Sequence, residues 1–283
     1  MPTVALPEIA LIRLDATHLD AAQRLSAQES WPHRREEWAF LLAMGPGFGI
    51  LAGDRLVGTA VLTPYGTDAA TCNMIIVDDT MRGHGLGRKL MEALVAEAGD
   101  RECRLVATES GQPLYAKLGF VPTGRIRQFQ GMAIGLPAPD GPVLARGDDL
   151  PEICALDRDA TGMDRSVLLG RLMAEGPVFV LRAGSGLRGF VACRAFGRGD
   201  LMGPLAARDD DAADLLMRAA IARHAGRFLR VDLSAAGARH ADLVQAAGLL
   251  PVGGGVAMTR PGATRCPAPS GAETYTLASQ ALC

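Results

Sequence analysis

Apolar residues along this chain fall into short runs and into sets with helical spacing, and the two kinds alternate. Met74-Ile75-Ile76-Val77 has the length and β-branching of a buried strand. Leu86, Leu90, Leu94 and Ala98 recur at four-residue intervals and predict one face of a helix over 86–98. A second strand is expected near 103–108, followed by a helix and turn across 114–120. Earlier in the chain, 52–58 reads as a hairpin turn between two strands. Trp31-Pro32 reads as a helix boundary, because the residue before a proline is pushed out of helical geometry.

The polar residues between the first of these strands and its helix carry the chemistry. Arg82-Gly83-His84-Gly85-Leu86-Gly87-Arg88-Lys89 joins the two. Alternating glycines let the backbone turn tightly and aim successive N–H groups at one point, with no Cβ in the way. The helix N-terminus adds free donors and partial positive charge, and Arg82, Arg88 and Lys89 add whole charges. Such a turn suits a pyrophosphate. It is not a Walker loop, since Gly87 is followed by Arg88 and no hydroxyl is placed to hold magnesium. It is not a Rossmann turn either, because the Gly-x-Gly-x-x-Gly spacing is absent.

Arg82-x-x-Gly85-x-Gly87 resembles the Arg/Gln-x-x-Gly-x-Gly/Ala hallmark of the GNAT superfamily of acyl-CoA-dependent N-acyltransferases. Leu114-Tyr115-Ala116-Lys117-Leu118-Gly119-Phe120 resembles that family's second hallmark, Leu-Tyr-x-x-Leu-Gly-Phe. The two blocks stand in the family's order, with the expected helix and strand between them. The resemblance implies an α/β (α+β) fold, in which a mixed, mostly antiparallel sheet is flanked by helices. It also implies acetyl-CoA as cosubstrate.

At 283 residues the chain is long enough for two domains. Its second half echoes its first. The layout of 52–58 returns at Ala183-Gly184-Ser185-Gly186-Leu187-Arg188-Gly189, and Tyr65-Gly66 returns as Phe196-Gly197. Leu114–Gly124 returns as Leu243–Gly253, and Arg13-Leu14-Asp15 as Arg146-Gly147-Asp148. The offsets are all roughly 130 residues, which means a duplicated domain rather than a solenoid unit. A proline- and glycine-rich linker at 135–142 sets the expected boundary, giving domains 1–136 and 137–283. Opposite Arg82–Arg88 the second copy carries Arg208-Asp209-Asp210-Asp211-Ala212-Ala213-Asp214. Those carboxylates would repel a pyrophosphate, although they also suit a helix N-terminus. Val244 stands opposite Tyr115, so only the first half is equipped for catalysis. The arrangement resembles a bacterial GNAT subgroup with a degenerate second domain. Asp157–Arg165, Met202-Gly203-Pro204-Leu205 and the tail Tyr275–Ser279, a candidate last strand after a loop at 261–272, look like that subgroup's signatures.

By the same resemblance, strand 74–77 splays from its neighbour and offers backbone groups of Ile76 and Val77 to pantetheine amides. Arg82, Gly83, His84, Gly85, Leu86, Gly87 and Arg88 would hold the pyrophosphate, with His84 nearer phosphate than amine. Tyr115 would donate a proton to the leaving thiolate, or else merely pack its ring. The general base stays open, because Thr71, Cys72 and Asn73 stand where many relatives carry a glutamate. Glu109 is one candidate, a solvated loop carboxylate is the other view of it, and a water chain would also serve. Asp78 and Asp79 lie beside the cradle and are as well explained as turn caps. Glu29 and Trp31, near His33, Arg34 and Arg35, are expected to face the acceptor, with Asp164 and Arg165 as contributors from the second half.

A net charge of −2 offers no reason to expect nucleic acid or an anionic membrane as partner. No apolar stretch is long enough for a spanning helix, and Met1-Pro2-Thr3-Val4 lacks the features of a leader, so a cytoplasmic site is expected. Six scattered cysteines and five histidines show no ligand spacing, so no metal is expected. The expected activity is transfer of an acetyl group to a primary amine, on a small molecule in preference to a protein amine, with a non-catalytic acyl-CoA sensor as the other class. A homodimer is left open.

Overall fold

The computed structural model describes residues 8–184, 186–264 and 266–283. Met1–Val4, Ser185 of the second hairpin turn and Arg265 of the 261–272 loop lie outside the described residues. In chain order the first half holds β1 (Ile9–Leu14), α1 (Leu19–Gln28), α2 (Arg35–Met44), β2 (Gly47–Ala52), β3 (Arg55–Tyr65) and β4 (Ala69–Val77). It continues with α3 (Leu86–Ala98), β5 (Glu102–Ala107), α4 (Gln112–Lys117) and β6 (Val121–Met132). The second half holds β7 (Val143–Leu144), α5 (Leu150–Thr161), α6 (Ser166–Glu175), β8 (Val178–Ala183), β9 (Gly186–Phe196) and β10 (Gly199–Ala207). It ends with α7 (Asp210–Arg223), β11 (Phe228–Leu233), α8 (Ala241–Ala246), β12 (Leu250–Arg260) and β13 (Glu273–Thr276). No helix among the described residues is long and apolar enough to cross a membrane.

Helix α3 spans the residues its spacing predicts, and Leu86, Leu90, Met91, Leu94 and Ala98 are all buried beneath it. Trp31 and Pro32 fall in the gap between α1 and α2, as the proline requires. Gly66 and Gly197, paired in the repeat, both take left-handed φ at the β3–β4 and β9–β10 turns. So do Gly119 and Gly248, after α4 and α8.

The two halves do not keep separate sheets. All thirteen strands join in the order β1-β2-β3-β4-β5-β12-β6-β11-β13-β10-β9-β8-β7. Pairing is antiparallel except for β4 with β5 and β10 with β11. The sixth strands are traded: β12 from the second half lies against β5, and β6 from the first lies against β11. Strands β6 and β12 pair with each other at the centre. The apolar cores follow the exchange. Val256 and Met258 of β12 join the core under α3, with Leu90, Leu94 and Tyr115. Phe129 of β6 joins the core under α7, with Leu216, Met217 and Val244. A third core mixes both halves, from Trp38 and Met74 to Leu168 and Leu282.

The sequence signature at 157–165 turns out to be structural. Arg165 is 2% exposed and Asp157 fully buried, and they form a two-point ion pair at 2.5 and 2.9 Å. Arg165 Nη1 also donates to the Leu282 carbonyl at 3.2 Å, which fixes the chain's last turn. Asp164 pairs with Arg158 at 2.5 Å and accepts from the Ser166 amide. Neither Asp164 nor Arg165 lines the cavity described below, which corrects their expected place at the acceptor. Asp157→Asn strands a buried guanidinium without its counter-charge. It is expected to cost about 3–5 kcal/mol in urea unfolding, the usual penalty for breaking one side of a buried pair. A loss under about 1 kcal/mol, the range of an exposed pair, would refute this.

Candidate active site

Strands β4 and β5 pair only at Ala69–Thr71 with Glu102–Arg104. Beyond that they separate, so the β5-facing edge of β4 from Asn73 to Val77 has no strand partner there among the described residues. The register between β3 and β4 slips between Thr59 and Val61, and Met74 takes a left-handed φ of 51°. The gap opens toward the turn before α3. Gly83 and Gly85 hold φ of 82° and 76°, conformations that L side chains rarely adopt. A Cβ on either would meet no atom within 4 Å, so the space above the turn is free. Gly87 differs: a Cβ there would touch Leu114 at 3.3 Å, so this glycine serves the approach of α3 to α4.

The gap runs into a cavity of about 1220 Å³. Its wall includes Ile76, Val77, Arg82, Gly83, Gly85, Leu86, Gly87 and Arg88 from the turn region, Tyr115 from α4, and Glu29 and Trp31 between α1 and α2. Sequence reasoning had singled out all eleven. Two others stand apart. His84 is exposed, its Nδ1 set against the Met81 carbonyl at 3.3 Å, and it does not line the cavity. Glu109 is exposed on the turn after β5; Thr108, Ser110 and Gly111 line the wall and Glu109 does not. Asp78, 3% exposed, accepts from the Thr80 amide at 3.0 Å and pairs with Arg55, so it caps the turn.

Tyr115 is 8% exposed, its ring set against Phe120 at 6.1 Å, and its Oη makes no hydrogen bond among the described residues. Burial first, and then the neighbouring Cys72, push its phenol up to about 12. Its hydroxyl therefore stays protonated at neutral pH. Asn73, at the place of the missing glutamate, lines the cavity and is 4% exposed. Its Nδ2 donates to Thr63 Oγ1 at 3.1 Å, and its Oδ1 is buried without a partner among the described residues. Arg82 Nε donates to the Val77 carbonyl at 3.3 Å, and its Nη2 reaches Glu29.

The remaining wall comes from elements no motif marked. Gln128 and Gln130 of β6, Arg230 of β11, Phe196 and Arg198 at the β9–β10 turn, and Gln280 all line it. The repeat and the tail pattern were the only sequence signals touching these regions. The second half thus reaches the cavity, through the turn at 196–198 rather than through 164–165. Gly197 N donates to Glu37 Oε1 at 3.3 Å and locks that turn onto α2.

The counterpart gap in the second half is filled. Strands β10 and β11 pair only at Asp200–Met202 with Leu229–Val231 before they separate. There β13 slots in, pairing with β10 through Leu205–Ala207 and with β11 at Leu233. At the α7 start, Asp209 caps the Ala212 amide at 2.8 Å and pairs with Arg188 at 2.7 Å. Asp210 accepts from Tyr275 Oη at 2.8 Å and from Arg239 at 2.7 Å. Protein groups occupy both the strand gap and the helix start.

The comparisons with known proteins agree with this geometry. Acetyltransferase (GNAT) domain profiles match residues 46–122 and residues 153–270, together more than half of the chain. Among curated proteins, an uncharacterised N-acetyltransferase of Bacillus subtilis (strain 168), YitH, is 32% identical over 174 residues. The match spans 58% of this chain and 60% of that protein. Among solved structures, a Pyrococcus horikoshii protein superposes with TM-score 0.81 at 16% identity, over 100% of this chain and 99% of its own. A tandem GNAT protein from the clavulanic acid biosynthesis pathway superposes with TM-score 0.61 at 17% identity, over 89% and 98%. With a GNAT profile on each half and the tandem fold across nearly the whole length, the chain is a two-domain member of the GNAT acetyltransferase family.

Proposed function

We propose that this chain is an acyltransferase that moves the acetyl group of acetyl-CoA to the primary amine of a small molecule. The observation that carries the proposal is the contrast between the two strand gaps: the first is open and ends on an unobstructed glycine turn, the second is plugged by β13. The free edge of β4 at Ile76 and Val77 offers hydrogen-bonding groups to pantetheine amides, and the Gly83–Arg88 amides and Arg82 suit the pyrophosphate. When bound, acetyl-CoA supplies an activated acyl group as a thioester. Tyr115 donates the proton that the departing thiolate needs. Asn73 Oδ1, lacking a partner, accepts a hydrogen bond from the incoming amine or from a water that carries its proton away. A small acceptor is favoured over a protein one because Phe196, Arg198 and Arg230 of the second half stand on the acceptor side of the cavity, where a peptide would need an open groove.

Thermal unfolding with CoA and with acetyl-CoA tests the cradle. A ligand that binds only the native state adds about 2.7 kcal/mol at a hundredfold excess over its Kd. Wild type is expected to shift with ligand concentration, and an Arg82→Glu/Gly85→Asp double variant is expected not to. No shift of wild type at millimolar ligand would defeat the proposal.

A further inference from the structure

We propose that the acceptor is a primary amine that also carries a carboxylate, and that arginines of the second half grip that carboxylate. This rests on the acyl-transfer proposal above and specifies its second substrate.

Arg230 and Gln130 are direct partners across the β11–β6 pairing, and Asp232 and Gln128 are the next pair on that face. All four therefore project to one side of the sheet. Asp232 is fully buried and holds Arg230 from behind through Nε and Nη2, at 2.9–3.3 Å. Arg230 Nη1 makes no hydrogen bond among the described residues, although Arg230 is only 7% exposed and lines the cavity. A guanidinium held in place with donors to spare is preorganised for a planar acceptor such as a carboxylate. Arg198, on the same wall, forms no ion pair among the described residues. Gln280 Nε2 bridges Gln128 and Asp232 at 3.1 and 3.0 Å and completes a fixed polar floor.

The charge of the wall points the same way. Glu29 is the only acidic residue lining the cavity among the described residues, and it is paired with Arg82. Arg230 is balanced by Asp232, which leaves Arg198 as one net positive charge on the acceptor side. That suits a monoanion better than the double charge of a phosphate ester. His33, whose ring stands 5.3 Å from Phe196, has a buried Nδ1 without a partner among the described residues. Burial, and then Arg230, push its imidazole down to about 3, so it stays neutral and available for hydrogen bonding. A polyamine or a lysine-rich peptide would meet repulsion on this wall.

The test uses the full-length protein and the amino acids, β-alanine and 4-aminobutyrate, each beside its decarboxylated amine and its carboxamide. CoA release from acetyl-CoA is the first readout. Thermal stabilisation of the CoA-saturated protein by each amine is the second. At least one amino carboxylate is expected to exceed its decarboxylated and amide partners by about 10- to 100-fold in kcat/KM, the span of one charge-assisted contact. Arg198→Gln is expected to raise that acceptor's KM by a similar factor while the KM for acetyl-CoA and the CoA thermal shift stay unchanged. Equal or faster acylation of the uncharged partners, or an intact preference in Arg198→Gln, would overturn the inference. If CoA binds but no amine is acylated, the acyl-transfer proposal fails. Selective stabilisation by amino carboxylates would then still support this site, and its absence would overturn the inference too.

Discussion

Tyr115→Phe is expected to lower kcat by about two to four orders of magnitude, the usual contribution of a positioned proton donor, and to leave CoA binding unchanged. The expectation follows from where the hydroxyl sits. Helix α4 packs the ring against Phe120 in the core under α3, so phenylalanine preserves the packing. The hydroxyl makes no hydrogen bond among the described residues, so its removal orphans no protein group. What disappears is a phenol held protonated by burial, its pKa pushed up to about 12, on the cavity wall. A thiolate leaving without a donor must take its proton from water rather than from a positioned acid. Steady-state kcat, the CoA thermal shift and urea unfolding together decide the matter. An unchanged kcat would make Tyr115 a packing residue, and a large loss of stability would make the kinetic effect uninterpretable as acid catalysis.

The second large effect concerns the whole fold. A fragment of residues 1–136 is expected not to fold, despite containing the glycine turn, Tyr115 and every motif that marks the family. In the intact chain β5 pairs with β12, and β6 pairs with β12 and β11, all partners that the fragment lacks. Val256 and Met258, at 9% and 2% exposure, close the core under α3, and removing them opens that core to water. A domain's net stability is only about 5–15 kcal/mol, and the burial of these two side chains alone is worth about 3–6 kcal/mol before the lost strand pairing is counted. Fragment 1–136 should therefore show no cooperative unfolding and no CoA shift, while co-expressed 1–136 and 137–283 should restore both. Cooperative unfolding of 1–136 alone, with a CoA shift, would mean that β6 can replace β12 beside β5 and that the exchange is dispensable.

These two expectations separate what was legible along the chain from what was not. The phosphate turn was legible because its requirements are local: φ at Gly83 and Gly85, the start of α3 at Leu86 and the apolar stripe beneath it all lie within a few residues. Tyr115 was legible for the same reason, since one short helix and its turn carry the motif. The duplication was legible because two copies repeat the same turn glycines. Glu109 and His84 show the limit. Each sits beside residues that line the cavity, and one residue of rotation along a turn decides whether a side chain faces in or out.

Strand partners are a different matter. Backbone hydrogen bonds carry no side-chain signature, so the apolar pattern of β6 fits beside β5 as well as beside β11. Only the assembled sheet decides that the two sixth strands change places. The same holds for β13, whose tail pattern announced a strand without announcing that it would fill the gap between β10 and β11. The acceptor wall is the furthest consequence. Residues 128, 198, 230 and 280 lie far apart in sequence, and the strand exchange alone brings them to one surface. By itself, then, the sequence determined the family, the glycine turn before α3 and the place of Tyr115 on the cavity wall, because each depends on neighbours along the chain. The tertiary structure decided how the halves are joined, that β13 fills the second strand gap and which residues of the second half line the cavity, because each depends on pairing between distant strands.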